Sequence, residues 1–287
     1  MVEAVPGVAT TVDPRPAVDA FLAAGGRAVT LDVFDTLLWR RTLFPADVFG
    51  LLPHGWWGRV SRRWIEAGVT AFCRRVLRRE PRLQDIYGTA YPFDVDAELA
   101  LEAQLTRANP AGLDLVRHLA ERRVPLLAVS DMVMSGAQIE ALLHAAGYPA
   151  LAVLSSADEG VSKRVGGQLF QRALQHLSAE PAEVLHVGDD WQADVAMSRQ
   201  QGLACVRVRA PRETVLALRP ELARARLDVQ ASLFWGDVAL ALQPRLPPDA
   251  PDMAGLRARL DRLLREKPAT AWQAAALVDA LLAPPSA

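Results

Sequence analysis

Side chains that could do chemistry stand at four points of the chain, at the ends of apolar runs or in the turns that follow them. They are Asp32 with Asp35 and Thr36, Ser130 with Asp131, Lys163, and Asp189 with Asp190 and Asp194. Carboxylates brought together repel one another and hold raised pKa values unless a cation is present. Oxygen-only ligation of this kind suits Mg²⁺, which binds one or two carboxylates together with a substrate phosphate. With a lysine for charge and a hydroxyl as donor, the set is typical of phosphoryl transfer through an aspartyl-phosphate.

The elements that must bring these side chains together form a predicted α/β fold. Apolar runs predict buried strands at residues 28–31, 125–129, 151–154, 184–187 and 204–208. Helical patterns link the strands from residue 109 onward, which indicates a doubly wound parallel sheet. Ligands of such sheets bind at the carboxyl ends of the strands. We therefore expect Asp32, directly after the first of these strands, to meet a substrate.

The chain divides into three predicted parts. Residues 14–41 and 109–210 carry the α/β core, whereas residues 42–108 interrupt it with a long, mostly helical insertion rich in Trp and Arg. The arginines of this insertion are most simply explained as the solvated face of an amphipathic helix. Residues 211–287 are predicted to form a helical C-terminal extension. No motif there points to chemistry, so it is the part we consider for a protein partner or for self-association.

Composition and charge narrow the class of protein. The apolar fraction of 51% and the charged fraction of 23% are those of a globular protein. A formal net charge of −1 argues against a nucleic-acid-binding protein, which is normally strongly basic. No apolar run approaches the roughly 20 residues that a membrane span needs, and the N-terminus has no signal-peptide pattern. We expect a cytoplasmic protein without a membrane span.

Four motifs, in order and in their strand context, resemble those of the haloacid dehalogenase (HAD) superfamily along residues 27–208. They are Asp32-Val33-Phe34-Asp35-Thr36-Leu37-Leu38, Ser130 after an apolar strand, Lys163 before a helix, and Gly188-Asp189-Asp190 with Asp194. The resemblance implies a HAD-like Rossmannoid core, and it makes residues 42–108 a helical cap over the active site. Further features resemble predicted HAD hydrolases found alone or fused to glycosyltransferases in bacterial surface-polysaccharide systems. These features are Arg40 after the first motif, Asp85-Ile86-Tyr87, Asn109-Pro110 and Ser130-Asp131-Met132.

The resemblance also implies a role for each motif residue. It implies three catalytic groups. Asp32 would be the nucleophile, Lys163 would neutralise charge in the transition state, and Asp35 would be the candidate for the general acid and base. As phosphate-binding groups it implies Thr36, Ser130 and Asp131. As Mg²⁺ ligands it implies Asp32, the backbone carbonyl of Phe34 and Asp189, with Asp190 or Asp194 ligating directly or orienting a bound water.

Phe34 departs from the HAD phosphatase pattern, which has a second aspartate two residues after the nucleophile as general acid and base. Its loss would cost about 10²–10⁴-fold in rate unless Asp35, one residue later, takes the role rather than merely capping a turn. The leading hypothesis is a Mg²⁺-dependent phosphohydrolase acting on a small phosphorylated metabolite, for example a sugar phosphate. An aromatic residue at this position fits a second hypothesis, a metal-independent dehalogenase. The third is a catalytically impaired HAD-like domain that binds a partner.

Overall fold

The computed structural model describes residues 8, 10–52, 55–88, 94–246 and 252–283 of the 287-residue chain. The strands are β1 (Thr10–Thr11), β2 (Ala28–Leu31), β3 (Leu38–Arg40), β4 (Thr106–Ala108), β5 (Leu126–Ser130), β6 (Val153–Ser155), β7 (Val184–Gly188) and β8 (Ala204–Val208). Six of them form one parallel sheet in the order β1-β8-β7-β2-β5-β6. The predicted α/β fold with a parallel sheet is confirmed.

Burial on both faces explains why the central strands are apolar. All four residues of β2 are buried, and β5 and β7 pair with it on either side. From β2 the chain runs outward through β5 to β6 and then crosses to β7 and β8 on the other side. The sheet therefore has its topological switch point at β2, where a ligand crevice is expected at the carboxyl ends of the strands.

Helices fill the connections and the C-terminal region. They are α1 (Arg15–Ala23), α2 (Gly55–Phe72), α3 (Leu83–Tyr87), α4 (Val95–Leu105), α5 (Pro110–Glu121), α6 (Gly136–Ala145), α7 (Ser156–Glu159), α8 (Gln168–Leu177), α9 (Met197–Gln200), α10 (Pro211–Leu218), α11 (Val229–Leu242), α12 (Met253–Glu266) and α13 (Ala274–Leu282). Short 3-10 segments lie at Pro45–Leu51, Pro181–Glu183, Pro220–Ala223, Gln243–Arg245 and Ala269–Ala271, and π-helical turns at Cys73–Leu77 and Trp191–Ala196. No helix among the described residues is long and apolar enough to cross a membrane.

A small antiparallel sheet of β3 and β4 joins the insertion to the core. Leu38 pairs with Ala108, so the chain leaves and re-enters the core at neighbouring points. The guanidinium of Arg40 in β3 donates to the Glu102 carboxylate of α4, with Nε 2.9 Å from Oε2, and both side chains are buried. This pair ties α4, the last helix of the insertion, to the strand that follows the Asp32 loop.

The C-terminal helices form a second hydrophobic core. Trp235, Leu242, Leu260 and Leu277 belong to it, and Leu43 joins it from the segment that follows β3. A surface ion pair between Arg41 and Asp237, at 2.7 Å, lies on the same side. The extension is thus packed on the residues that follow the Asp32 loop. Its first helix, α10, begins at Pro211, and a connection of two residues separates it from β8.

Candidate active site

Three neighbouring strands bring the predicted site residues to one edge of the sheet. Asp32 follows β2, Ser130 ends β5 and Asp189 follows β7, and these strands are hydrogen-bonded neighbours. The backbone N–H of Asp32 donates to the Val187 carbonyl at 2.8 Å, which extends the β2–β7 ladder by one residue and fixes the start of the Asp32 loop. All three side chains are buried.

Lys163 lies between two of the carboxylates. Its Nζ donates to Asp32 Oδ1 at 2.5 Å and to Asp194 Oδ1 at 2.6 Å, and the lysine is 2% exposed. Their negative charges raise the pKa of the Lys163 ammonium, although burial opposes this. Lys163 is therefore a fixed positive charge in contact with the predicted nucleophile.

Asp131 holds the loop that carries this lysine. Its Oδ1 accepts a hydrogen bond from the backbone N–H of Lys163 at 2.7 Å, and its Oδ2 from that of Arg164 at 3.2 Å. Both carboxylate oxygens of Asp131 therefore position the Lys163 loop. The phosphate-binding role of Asp131 stays a prediction.

The loop after β7 separates the roles of its three aspartates. Asp190 caps the π-helical turn, with Oδ1 accepting from the Ala193 N–H at 2.7 Å, and its Oδ2 pairs with Arg164 at 2.8 Å. Asp194 turns back, so that its Oδ2 accepts the Asp190 N–H at 2.9 Å. This return requires a glycine at position 188, because an added Cβ there would overlap the Asp194 carboxyl group.

Asp32, Asp189 and Asp194 could hold a metal ion together. One carboxylate oxygen of each lies within 4.8 Å of those of the others, and all three residues are buried. Asp190, predicted as an alternative ligand, is not part of this group among the described residues. With Lys163 the three carboxylates sum to a charge of −2, which one divalent cation would neutralise.

The pKa shifts agree with a missing positive charge. Burial and the charges of Asp32, Asp194 and Asp190 raise the pKa of Asp189. Burial also raises the pKa of Asp32 to about 7, against the opposing charge of Lys163. Asp194 differs, because Lys163 and a hydrogen bond from His186 lower its pKa in spite of burial. Hard oxygen donors, burial and negative charge that Lys163 compensates only in part together fit Mg²⁺.

Two hydroxyl groups are predicted to bind phosphate, those of Ser130 and Thr36, and both residues are buried. Ser130 lines the cavity at the end of β5. Thr36 is 2% exposed, and its Oγ1 has no hydrogen-bond partner among the residues that the structure describes. Leaving a buried hydroxyl unpaired costs about 1–3 kcal/mol. Among the described residues, Ser130 lines the cavity and Thr36 does not, so the phosphate-binding roles of the two hydroxyls stay predictions.

Asp35 lies in a left-handed backbone conformation with φ of 63°, which aspartate tolerates better than most residues. Its carboxylate forms an ion pair with the Arg212 guanidinium, and Arg212 Nη2 also lies 3.5 Å from Asp189 Oδ2. Arg212 comes from α10, in the extension to which the sequence assigned no chemistry. No local motif marks it, because the contact joins residues 177 positions apart.

Phe34 occupies the position, two residues after Asp32, at which the HAD phosphatase pattern has an aspartate. It is 8% exposed, lines the cavity, and carries the Arg40 guanidinium over its ring at 4.1 Å from the centroid. Glu102 holds that guanidinium in turn. The position two residues after Asp32 is therefore an apolar ring covered by a paired cation.

The insertion contributes one wall of the cavity in front of Asp32. The cavity measures about 810 Å³, within the range of small-molecule sites. Helix α2 lines it with Arg62, Arg63, Glu66, Ala67, Thr70 and Ala71, and the π-helical turn that follows adds Arg74. This volume exceeds the needs of a phosphoryl group alone, so a substrate body has room between α2 and the core.

Comparison with known proteins agrees with this arrangement. A family model described as haloacid dehalogenase-like hydrolase matches residues 7–202. That range holds Asp32, Lys163 and Asp194 but ends before Arg212. No curated protein sequence matches the chain significantly.

Several solved structures resemble the chain at low sequence identity. An L-2-haloacid dehalogenase from Xanthobacter autotrophicus is 19% identical, with 72% of this chain and 86% of that chain covered and a TM-score of 0.51. A second L-2-haloacid dehalogenase is 20% identical, with coverages of 65% and 86% and a TM-score of 0.50. A HAD family hydrolase from Deinococcus radiodurans R1, with bound phosphate and sodium, is 16% identical, with coverages of 71% and 99% and a TM-score of 0.40. The two dehalogenases share the fold of this chain.

Proposed function

The chain belongs to the haloacid dehalogenase-like hydrolases, and we propose that it is a Mg²⁺-dependent phosphohydrolase. It acts through an aspartyl-phosphate on a small phosphorylated metabolite, with sugar phosphates among the candidates. The observation that carries the proposal is the group of Asp32, Asp189 and Asp194, whose carboxylate oxygens lie within 4.8 Å of one another beside Lys163. A site with this charge favours a divalent cation and the phosphoryl oxygens that such a cation attracts.

In this proposal Asp32 supplies the nucleophilic oxygen. Lys163 holds the carboxylate in place through the 2.5 Å contact and keeps positive charge beside the reacting phosphorus. The hydroxyls of Ser130 and Thr36 donate to phosphoryl oxygens, and Asp131 keeps the Lys163 loop in position. Each of these groups is set by the fold before substrate binds, which is how electrostatic stabilisation of a transition state becomes effective.

The metal would be held by Asp32 and Asp189, with the Phe34 carbonyl as a further ligand and Asp194 nearby. When bound, Mg²⁺ neutralises the carboxylates and polarises the phosphoryl group. Asp194 already has its Oδ1 on Lys163 and its Oδ2 on the Asp190 N–H. We therefore assign Asp194 to orienting Lys163 and a metal-bound water rather than to direct ligation.

A dehalogenase is the second candidate, because Phe34 and Arg40 form an apolar wall with a cation over it beside the nucleophile. Lys163 also neutralises part of the Asp32 charge without a metal. In this reaction Asp32 would displace halide from carbon, and water would hydrolyse the resulting ester. The group of Asp32, Asp189 and Asp194, which could hold a metal ion, has no use in such a mechanism, which is why we rank the dehalogenase second.

Hydrolysis of an aryl phosphate, measured with Mg²⁺ and with a chelator, tests the proposal. We expect turnover that needs Mg²⁺ and that Asp32→Asn abolishes, whereas Asp279→Asn, on the surface of α13, leaves it unchanged. Turnover that survives chelation or Asp32→Asn would overturn the mechanism. Halide release from a 2-haloacid without metal would support the dehalogenase, and inactivity of the Mg²⁺-bound protein on a broad phosphate panel would support a binding domain.

A further inference from the structure

The carboxyl groups around the cavity share one property: each already forms an ion pair with a cationic side chain or accepts hydrogen bonds from backbone amides. The cavity-lining carboxylates are Asp32, Asp35, Glu66, Glu98, Glu102, Asp131, Asp189, Asp190 and Asp194. Their partners are Lys163 for Asp32 and Asp194, Arg212 for Asp35 and Asp189, Arg62 for Glu66 and Glu98, Arg40 for Glu102, Arg164 for Asp190, and the amides of residues 163 and 164 for Asp131. No carboxyl group of the described cavity wall lacks such a partner.

This arrangement removes the usual source of a proton for the leaving group. A general acid must carry a proton within hydrogen-bond reach of the leaving oxygen. A carboxylate held by a guanidinium or ammonium group is an acceptor, and releasing it would leave a cation unpaired. Asp35, the acid next to the nucleophile loop, is held in this way by Arg212. In the Mg²⁺-bound protein Asp32 and Asp189 would hold the metal ion as carboxylates and would carry no proton either. The bond to the leaving group would then break without protonation by a carboxyl group.

Arg212 lies beside the loop of the nucleophile, where a substrate can reach it. It pairs with Asp35 and lies 3.5 Å from Asp189, and its side chain is 29% exposed and lines the cavity, whereas Lys163 is 2% exposed. A guanidinium at this place can stabilise negative charge that develops on a departing oxygen. It does so without transferring a proton, since arginine stays charged.

We infer that the substrate is a phosphoric anhydride or an acyl phosphate, whose leaving group departs as a stable anion stabilised by Arg212. The inference rests on the proposed phosphohydrolase function and narrows it. An alkyl phosphate such as most sugar phosphates would have to expel an alkoxide, a far more basic anion. The absence of an acid beside Asp32 and the presence of Arg212 both favour the anhydride.

The two steps balance without an external acid. An Asp32 oxygen forms a bond to phosphorus while the bond from phosphorus to the leaving oxygen breaks, and the electron pair leaves with a phosphate or carboxylate anion. Water then bonds to phosphorus, and the anhydride bond between phosphorus and the Asp32 oxygen breaks. Both protons of the water stay on the product, which leaves as dihydrogen phosphate, and Asp32 returns as a carboxylate.

The test compares substrates of the Mg²⁺-bound protein that differ in the leaving group. We expect kcat/KM for acetyl phosphate to exceed that for an alkyl phosphate of similar size by about 10²–10⁴-fold or more. General acid catalysis contributes a factor of this size. Phe34→Asp, which places a carboxyl group beside the nucleophile, should raise turnover of the alkyl phosphate selectively, and Phe34→Leu should not. Values of kcat/KM within about tenfold for the two substrates of the unaltered protein would overturn the inference. Inactivity on both would instead count against the phosphohydrolase itself.

Arg212 has its own readout. Arg212→Gln should lower kcat for acetyl phosphate by about 10²–10³-fold, the usual worth of one electrostatic donor, and should steepen the dependence of rate on leaving-group basicity along a series of aryl phosphates. Arg212→Lys should restore part of this rate. Arg226→Gln, exposed and outside the cavity, is the control. An equal loss on every aryl phosphate would show that Arg212 only positions Asp35, and would refute its role at the leaving group.

Discussion

Replacing Asp189 by asparagine should make the metal-free protein more stable and abolish its response to Mg²⁺. Asp32 and Asp194 share the Lys163 ammonium at 2.5 and 2.6 Å, whereas the cation nearest to Asp189, Arg212, lies 3.5 Å away. Asp189 is therefore the least compensated carboxylate of the group, and burial and its neighbours raise its pKa. Asparagine keeps the shape and removes the charge.

The magnitude follows from the geometry. Two unit charges 4.8 Å apart repel by about 3 kcal/mol at an effective dielectric constant of 20. Asp189 can escape this repulsion by taking up a proton. Proton uptake limits the loss of folding stability to about 1.4 kcal/mol for each pH unit above the ordinary aspartate pKa of 3.8. At pH 7 we expect a gain of about 2–4 kcal/mol in the free energy of unfolding, or about 4–8 °C in Tm.

The pH dependence has a definite sign. Above pH 3.8 the unfolded chain loses the Asp189 proton while the folded protein keeps it, so the ionisation of this group costs stability as the pH rises toward its folded pKa. The advantage of Asp189→Asn should therefore grow from pH 4 upward and disappear below it. A variant that gained the same stability at every pH would contradict the electrostatic explanation.

Thermal unfolding with and without Mg²⁺ measures both effects. At 100 times its Kd, Mg²⁺ should stabilise the unaltered protein by about 2.7 kcal/mol, or about 5 °C, and leave Asp189→Asn unchanged. Asp279→Asn on α13 should respond to Mg²⁺ as the unaltered protein does. The reasoning fails if Asp189→Asn lowers the metal-free Tm, or if Mg²⁺ shifts the Tm of this variant as well.

Two further predictions concern Lys163 and Asp32. Lys163→Met leaves two buried carboxylates without their shared cation. Urea unfolding should therefore show a free energy of unfolding lower by about 3–5 kcal/mol, and turnover should be lost. Unchanged stability would contradict the Lys163 contacts. Because the nucleophile must be ionised, the acid limb of kcat/KM at limiting Mg²⁺ should lie near the Asp32 pKa of about 7. That limb should move to lower pH as Mg²⁺ saturates, since a cation favours the carboxylate; a limb that ignores Mg²⁺ would speak against a shared site.

The sequence predicted the parts of the site that local patterns determine. Strands buried on both faces are mostly apolar, so the ends of β2, β5 and β7 could be located to within a residue or two, although β2 contains Thr30 and β7 contains His186. Asp32, Ser130 and Asp189 follow at those ends, and adjacency of the strands then brings them together. The resemblance to polysaccharide-associated hydrolases remains a prediction.

The remaining features depend on contacts that no local pattern encodes. Strand β1 is two residues long and joins the sheet only because β8 offers an edge. The pairing of β3 with β4 joins segments separated by the whole insertion. Asp131 had the right position for a phosphate ligand, and only the arrangement of the Lys163 loop shows that its two oxygens are occupied by backbone amides.

Arg212 links the C-terminal extension to two carboxylates of the α/β core. The family model ends at residue 202, yet Asp35 and Asp189 have their cation from residue 212. Helix α10 is fixed by Val215 and Leu218, which are buried in the same hydrophobic core as Trp235 and Leu277. The packing of the extension therefore sets the position of a positive charge at the candidate active site. A guanidinium compensates a buried carboxylate only when the two groups are held close together, and here the packing of α10 holds Arg212 in place.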